Sequence, residues 1–502
     1  MNNETKSPKI HAALLSSPGM GHLIPVTELG KRLVCDHGWD VTVFALSSGE
    51  SKGDSQLALS SGESKGDSQP FEIVEMLPPD ISTLIGQDAA VVTLLAVMMR
   101  AAIPVFRSAL AQLDAQPDVL IVDIFGVDHL EIGKELGIPS YVYCASNTWF
   151  LSLLVYCPIL DKEVKGEYLD RTEPLEIPGC KAVQPVDVPD PMLDRSNQQY
   201  HEFLLLGEKI THGDGILVNV WEDFQPDILQ ALQNQDLLGR IIRGPIFAIG
   251  PLVRPPTKEL STGHKVFDWL DKQPRESVIY ISFGSGGTLS PDQLTELAWG
   301  LELSGQRFIW VIRPPTSTTG VGSYVGNTDG TGDISSLFPA GFLSRVQDVG
   351  FLIPLWAPQV DILRHPSVGG FLSHCGWSSA LESITNGVPM VAWPLYAEQR
   401  MNAALLTEEV GVAVKPKALP TNDTIGREEI KDLVKMIMVE EEGRGIRAKA
   451  KEIKESAHRA LSKFGARGYS SSYGTLARFT EECKGKRLTN ETATDPLPNC
   501  LR

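Results

Sequence analysis

The chain has 502 residues, too many for one ordinary hydrophobic core, so two or three domains are expected. Hydrophobic residues make up 42% and charged residues 21%, a folded rather than a disordered balance. Lys and Arg number 45 against 62 Asp and Glu, and the net charge of −17 argues against a nucleic-acid partner or an anionic membrane surface.

The first residues lack the basic start and apolar core of a secretory signal. The apolar stretch Ala89–Met99 carries Thr93 and stops at Arg100, too short to span a bilayer. Seven cysteines, with no CxxC spacing, predict reduced thiols and a cytoplasmic setting, and the sequons at Asn422 and Asn490 are expected to be idle.

In chain order, His11–Ser16 reads as a strand, followed by the turn Ser17-Pro18-Gly19-Met20-Gly21-His22. Leu23, Val26, Leu29, Leu33 and Val34 then recur at helical spacing, with Pro25 expected in the first turn. Gly19-x-Gly21 is half of a dinucleotide fingerprint. Ile24 stands where its third glycine belongs, which disfavours a dehydrogenase. Val41–Leu46, Val119–Asp123, Tyr141–Tyr143 and Ile216–Val220 read as further strands, and Asp128 and His129 as exposed on the next helix. The same twelve residues, ALSSGESKGDSQ, occupy Ala45–Gln56 and Ala58–Gln69; a single duplication is a loop extension, not a repeat architecture.

A second unit begins after Gly250-Pro251. Residues 254–265, rich in Pro, Thr and charge, read as a linker. Val278–Phe283, Arg307–Ile312, Phe351–Leu355, Gly370–Ser373 and Pro389–Trp393 read as strands. Ser290-Pro-Asp-Gln293 has the form of a capping box, and Gly305 can end its helix. Pro314–Ser336 reads as a surface loop, Arg444–Lys463 as a charged, solvent-facing helix and Tyr473–Phe479 as packing back on the body. Short apolar runs alternating with helical patterns predict an α/β protein with two Rossmann-like halves facing one another. The expected boundaries are 1–253, the linker 254–265, 266–460, a returning helix at 461–483 and a disordered tail at 484–502.

The densest chemistry lies between Trp356 and Gln399. Alone, Trp356 after a strand reads as core. Beside Ala357-Pro358-Gln359 it becomes an aromatic plate for a flat base, with the Gln359 amide suited to the edge of uracil. His374-Cys-Gly-Trp-Ser-Ser379 sits between a strand and a helix start, where free N–H groups favour phosphate. His374, Ser378 and Ser379 can add donors there, while Trp377 packs beneath the turn. Glu382 lies one helical turn beyond Ser378, and Glu398-Gln399 closes the segment. Outside it, Ser282-Phe-Gly-Ser285-Gly-Gly is a glycine-rich turn between a strand and a capped helix. In the first half, a helix N-terminus is expected to keep His22 neutral, and Asp123 at a strand end can hold its other ring nitrogen.

The segment Trp356–Gln399 resembles the plant secondary-product glycosyltransferase signature, the donor-binding box of family 1 UDP-sugar-dependent glycosyltransferases, and the resemblance runs over nearly the whole chain. It implies the GT-B arrangement and transfer of glucose from UDP-glucose to a hydroxyl of a small lipophilic acceptor. By the same resemblance the main chain at Ala357 reads uracil, Glu382 holds ribose hydroxyls, Glu398 and Gln399 hold the sugar and Ser285 meets phosphate. Trp377 belongs to the same donor set, and Ser146 or Thr148 is a candidate sugar contact. Gln at the closing position resembles glucose-using members. His22 and Asp123 match the family's catalytic pair. Ser378 departs from the family's usual Asn, and weaker donor binding is expected.

The segments SPGMGHLIP, VDIFG, SFGSGGTLS and WPLYAEQRMNA are similar to the enzymes acting on hydroquinone and monolignols. No cofactor or metal is expected, because no metal-ligand spacing is present and one base with a good leaving group suffices for inversion. A monomer is expected. The alternatives are a non-catalytic UDP-sugar-binding protein and the same chemistry on a flavonoid or terpenoid acceptor.

Overall fold

The computed structural model describes residues 9–47, 70–86, 88–255, 265–315, 337–463 and 471–494, the last eight and 471 as backbone only. Most of the duplicated segment, the linker and the loop 314–336 fall outside them. Among the described residues, thirteen strands form two wholly parallel sheets.

The first sheet contains β1 (His11–Ser16), β2 (Asp40–Leu46), β3 (Glu72–Met76), β4 (Val119–Asp123), β5 (Ser140–Cys144), β6 (Ile216–Val218) and β7 (Ile246–Ala248). Their order is β3-β2-β1-β4-β5-β6-β7. The second contains β8 (Val278–Ser282), β9 (Arg307–Ile312), β10 (Gly350–Pro354), β11 (Val368–Ser373), β12 (Met390–Ala392) and β13 (Ala413–Val414), ordered β10-β9-β8-β11-β12-β13. Apolar runs such as Val119-Leu-Ile-Val122 are buried throughout, as strands covered by helices on both faces require. In both sheets the strand order reverses beside the first strand of the unit, which opens crevices at the strand C-terminal ends. Ser285 and His374 lie on the turns after β8 and β11, and His22 in the first turn of the helix after β1.

Three local expectations change. Pro25 is the sixth residue of helix Met20–His37, past the first turn. Ser290 caps helix Pro291–Ser304 through its hydroxyl, 3.2 Å from the Gln293 N–H. Gln293 does not reciprocate; its amide bonds both main-chain groups of Ile425 (3.1 and 2.8 Å), tying two helix starts together. His129 is buried rather than exposed, and burial lowers its pKa to about 4. Its neighbour Asp128 pairs with Arg100 and Lys209.

The C-terminal helices also differ. Arg444–Leu461 buries Ala450, Ile453, Ser456, Ala457 and Ala460 along one face, so it is amphipathic and not wholly solvent-facing. Ser456 receives a 2.9 Å bond from the Trp221 indole of the first lobe. The last helix, Ser471–Thr494, continues eleven residues past the expected end at 483. Lys484 pairs with Glu481 and Lys486 with Glu482, one turn apart, and such pairs support a polar helix. This helix returns to the first lobe, where Phe479 stacks on Trp39 at 5.6 Å and Thr480 accepts from the Trp39 indole at 3.1 Å.

Candidate active site

A cavity of about 730 Å³ opens between the C-terminal ends of the two sheets. The candidate catalytic and donor residues line it, with His22, Asp123 and Ser146 from the first lobe and the others from the second; Thr148 does not, and its hydroxyl donates to Gln225 Oε1 at 2.7 Å. Its walls are mixed, with Val91, Leu95, Phe125, Phe150, Leu154 and Phe203 making an apolar end in the first lobe.

His22 is the third residue of its helix, held by the turn at Gly19, whose φ of 100° admits glycine. His22 Nδ1 lies 3.0 Å from Asp123 Oδ2. Asp123 is fixed from three further directions, accepting from the Ser17 N–H (3.1 Å), the Phe125 N–H (3.1 Å) and the Ser17 hydroxyl. Phe125 packs edge-on against the imidazole at 5.3 Å. Burial pulls the His22 pKa down, yet the hydrogen bond and charge of Asp123, with the charge of Glu398, outweigh it and leave the pKa raised above 6.5. The helix start alone suggested a more neutral ring; the buried carboxylate wins because its charge is whole and in contact. With Nδ1–H donated to Asp123, Nε2 carries the free lone pair.

Across the cleft, helix Trp377–Ile384 begins at Gly376 and presents its first N–H groups beside Ser378 and Ser379. His374 is buried, and desolvation lowers its pKa to about 4 against a raising contact from the Ser282 main chain. A neutral His374 can donate one hydrogen bond to a phosphate but brings no charge. Gly284 and Gly376 make room for it: a Cβ on either would fall 2.5 and 2.6 Å from His374 Nε2. Ser285 is exposed on the glycine-rich turn. Trp377 is buried and donates its indole N–H to the Asn219 carbonyl at 3.0 Å, so it joins the lobes beneath the turn.

Trp356 is 43% exposed at the mouth, beside Ala357. Gln359, expected at a uracil edge, directs its amide nitrogen to Ser379 Oγ (2.9 Å) and Glu382 Oε2 (2.7 Å). It therefore orients the Glu382 carboxyl, which burial pushes up and the Arg254 guanidinium, 4.0 Å away, opposes. Gln399 uses its amide oxygen to accept from the Leu395 and Tyr396 N–H groups (2.9 and 3.1 Å), which leaves its NH₂ as donor. Glu398 accepts from Ser146 (3.4 Å) and Asn402 (3.3 Å), which brings Ser146 to the second lobe's loop.

Asp190, Arg254 and Arg313 also line the cavity and escaped the sequence reading. Arg313 directly follows β9, and a charge at the C-terminal end of an apolar strand was the available signal. Asp190, in a proline-rich loop, offered none. Among the described residues, no group of three or more His, Cys, Asp or Glu side chains could hold a metal ion.

The family model for UDP-glucoronosyl and UDP-glucosyl transferase matches residues 248–441. The chain is 52% identical over 466 residues to an anthocyanidin 3-O-glucosyltransferase of Manihot esculenta, covering 93% of this chain and 95% of that one. It is 40% identical over 459 residues to a hydroquinone glucosyltransferase of Rauvolfia serpentina, covering 91% and 95%. The structure of a Phytolacca americana glycosyltransferase complexed with UDP-2-fluoro-glucose and pterostilbene superposes with a TM-score of 0.82 at 35% identity, covering 95% of this chain and 100% of that one. The matching fold, the donor segment and likeness over nearly the full length agree: the chain belongs to the plant family 1 UDP-glycosyltransferases.

Proposed function

We propose that the protein transfers glucose from UDP-glucose to a hydroxyl of a small phenolic acceptor, with inversion, to give a β-O-glucoside. The observation that carries this reading is the His22–Asp123 pair, 3.0 Å apart, facing Glu398 and Gln399 within one cavity. A phenol held against the apolar wall gives its proton to His22 Nε2 as its oxygen attacks the anomeric carbon. The bond from that carbon to the diphosphate breaks on the opposite face and UDP leaves. Asp123 stabilises the imidazolium as it forms, help that is typically worth roughly 10²–10⁴-fold. Trp356 and Ala357 take the uracil, Glu382 the ribose, and Ser285, His374, Ser378, Ser379 and the helix start the diphosphate. Glu398, the Gln399 NH₂ and Ser146 take the sugar. The phenolic acceptors in the relatives' names support the acceptor class.

The test is incubation with UDP-glucose and a panel of phenols, flavonoids and terpenoid alcohols. The expected result is UDP release with a β-linked glucoside of a simple phenol. Tight UDP-glucose binding without transfer to any acceptor would favour the non-catalytic binder, and an α-linked product would overturn inversion.

A further inference from the structure

The loop bearing Glu398 and Gln399 turns at Ala397, whose φ of 58° lies in the left-handed region that alanine seldom adopts. Its support comes from the opposite lobe. The Asp190 N–H donates to the Ala397 carbonyl at 3.0 Å, and the Ala397 N–H donates to Asp190 Oδ2 at 2.7 Å, a closed two-bond ring across the cleft. Asp190 Oδ1 is buried, accepts no hydrogen bond, and lies 3.7 Å from the guanidinium of buried Arg400, on the helix that begins with Gln399. The same lobe reaches this loop through Ser146 to Glu398 (3.4 Å) and the helix after it through Asn147 to Asn402 (2.6 Å).

We propose that Asp190 is a positioning residue through which the N-terminal lobe sets the choice of donor sugar. By bracing Ala397 and facing Arg400, it fixes where the Glu398 carboxylate and Gln399 amide stand. Sugar recognition is then completed only when the lobes are clasped, while the nucleotide, held by residues of the second lobe, does not depend on Asp190. The inference rests on Glu398 and Gln399 being the sugar contacts.

The experiment uses the full chain, UDP-glucose, UDP-galactose and a phenol that the wild type glucosylates. Asp190→Ala is expected to raise the KM for UDP-glucose about tenfold and to narrow the glucose-over-galactose ratio of kcat/KM about as much, the scale of one lost charge-assisted hydrogen bond. The Kd for UDP should stay within about threefold. Adding Ala397→Gly should recover most of the lost KM, because glycine holds that backbone without a brace. Should the alanine form not fold, Asp190→Ser, polar but too short to reach Ala397, carries the same expectation.

Unchanged KM and selectivity, a parallel loss of UDP affinity, or no recovery with glycine would each overturn the proposal. Gln399→Ala separates the two readings: if it narrows the sugar ratio and Asp190→Ala does not, only the bracing role falls. If it leaves the ratio untouched, the loop is not the sugar contact and both fall.

Discussion

At the scale of the residue, the His22 imidazole is tuned chiefly by buried Asp123, set against its own burial. The proposed transfer needs the neutral ring, and the His22 pKa is raised, so kcat/KM should fall as pH drops through an apparent pKa above 6.5. Asp123→Asn removes the main raising influence while burial still lowers the pKa. The acid limb should then shift to lower pH as kcat drops by about 10² or more, read from a pH–rate profile. An unmoved acid limb would show that another group titrates. Ser378 is the second residue of the helix proposed to meet the diphosphate, and its hydroxyl is shorter than an amide. Ser378→Asn should tighten UDP-glucose binding several-fold by calorimetry, roughly the worth of one hydrogen bond; unchanged affinity would mean the position does not reach the donor.

Elements tell a similar story of strong and weak signals. Strands β1, β4 and β9 were legible to the residue, because continuous apolar runs bounded by turn residues have little alternative. Strands β3, β7 and β13 were not. The first is a partly exposed edge, and the others have three and two residues, too short to show a pattern. His22, Asp123 and the donor segment were legible because they sit at or just past strand ends, in segments whose residue types are chemically narrow. Asp190 and the hydrogen-bond partners of the Gln359 and Gln399 amides were not, since only the fold selects among equivalent hydrogen bonds. The last helix makes the clearest prediction about packing. Phe479 is fully buried against Trp39 and Tyr141. Phe479→Ala should cost about 3–5 kcal/mol in denaturant unfolding, with early loss in the first lobe.

For the whole molecule, the chain crosses between lobes and returns, and buried polar bonds hold the crossing. Trp221 to Ser456, Trp377 to Asn219 and Asn147 to Asn402 tie the two lobes together, while the mouth keeps Trp356 open to solvent. This division suits the proposed reaction, in which a cleft admits two substrates yet keeps base and donor in fixed register. The central claim is that one lobe supplies the proton acceptor and the other the activated sugar. Single-turnover transfer by His22→Ala, alongside its UDP affinity, tests this most directly. The rate should fall by about 10²–10⁴-fold with the UDP Kd within about threefold of wild type. Undiminished transfer, or a loss of UDP binding that matches the loss of rate, would contradict it.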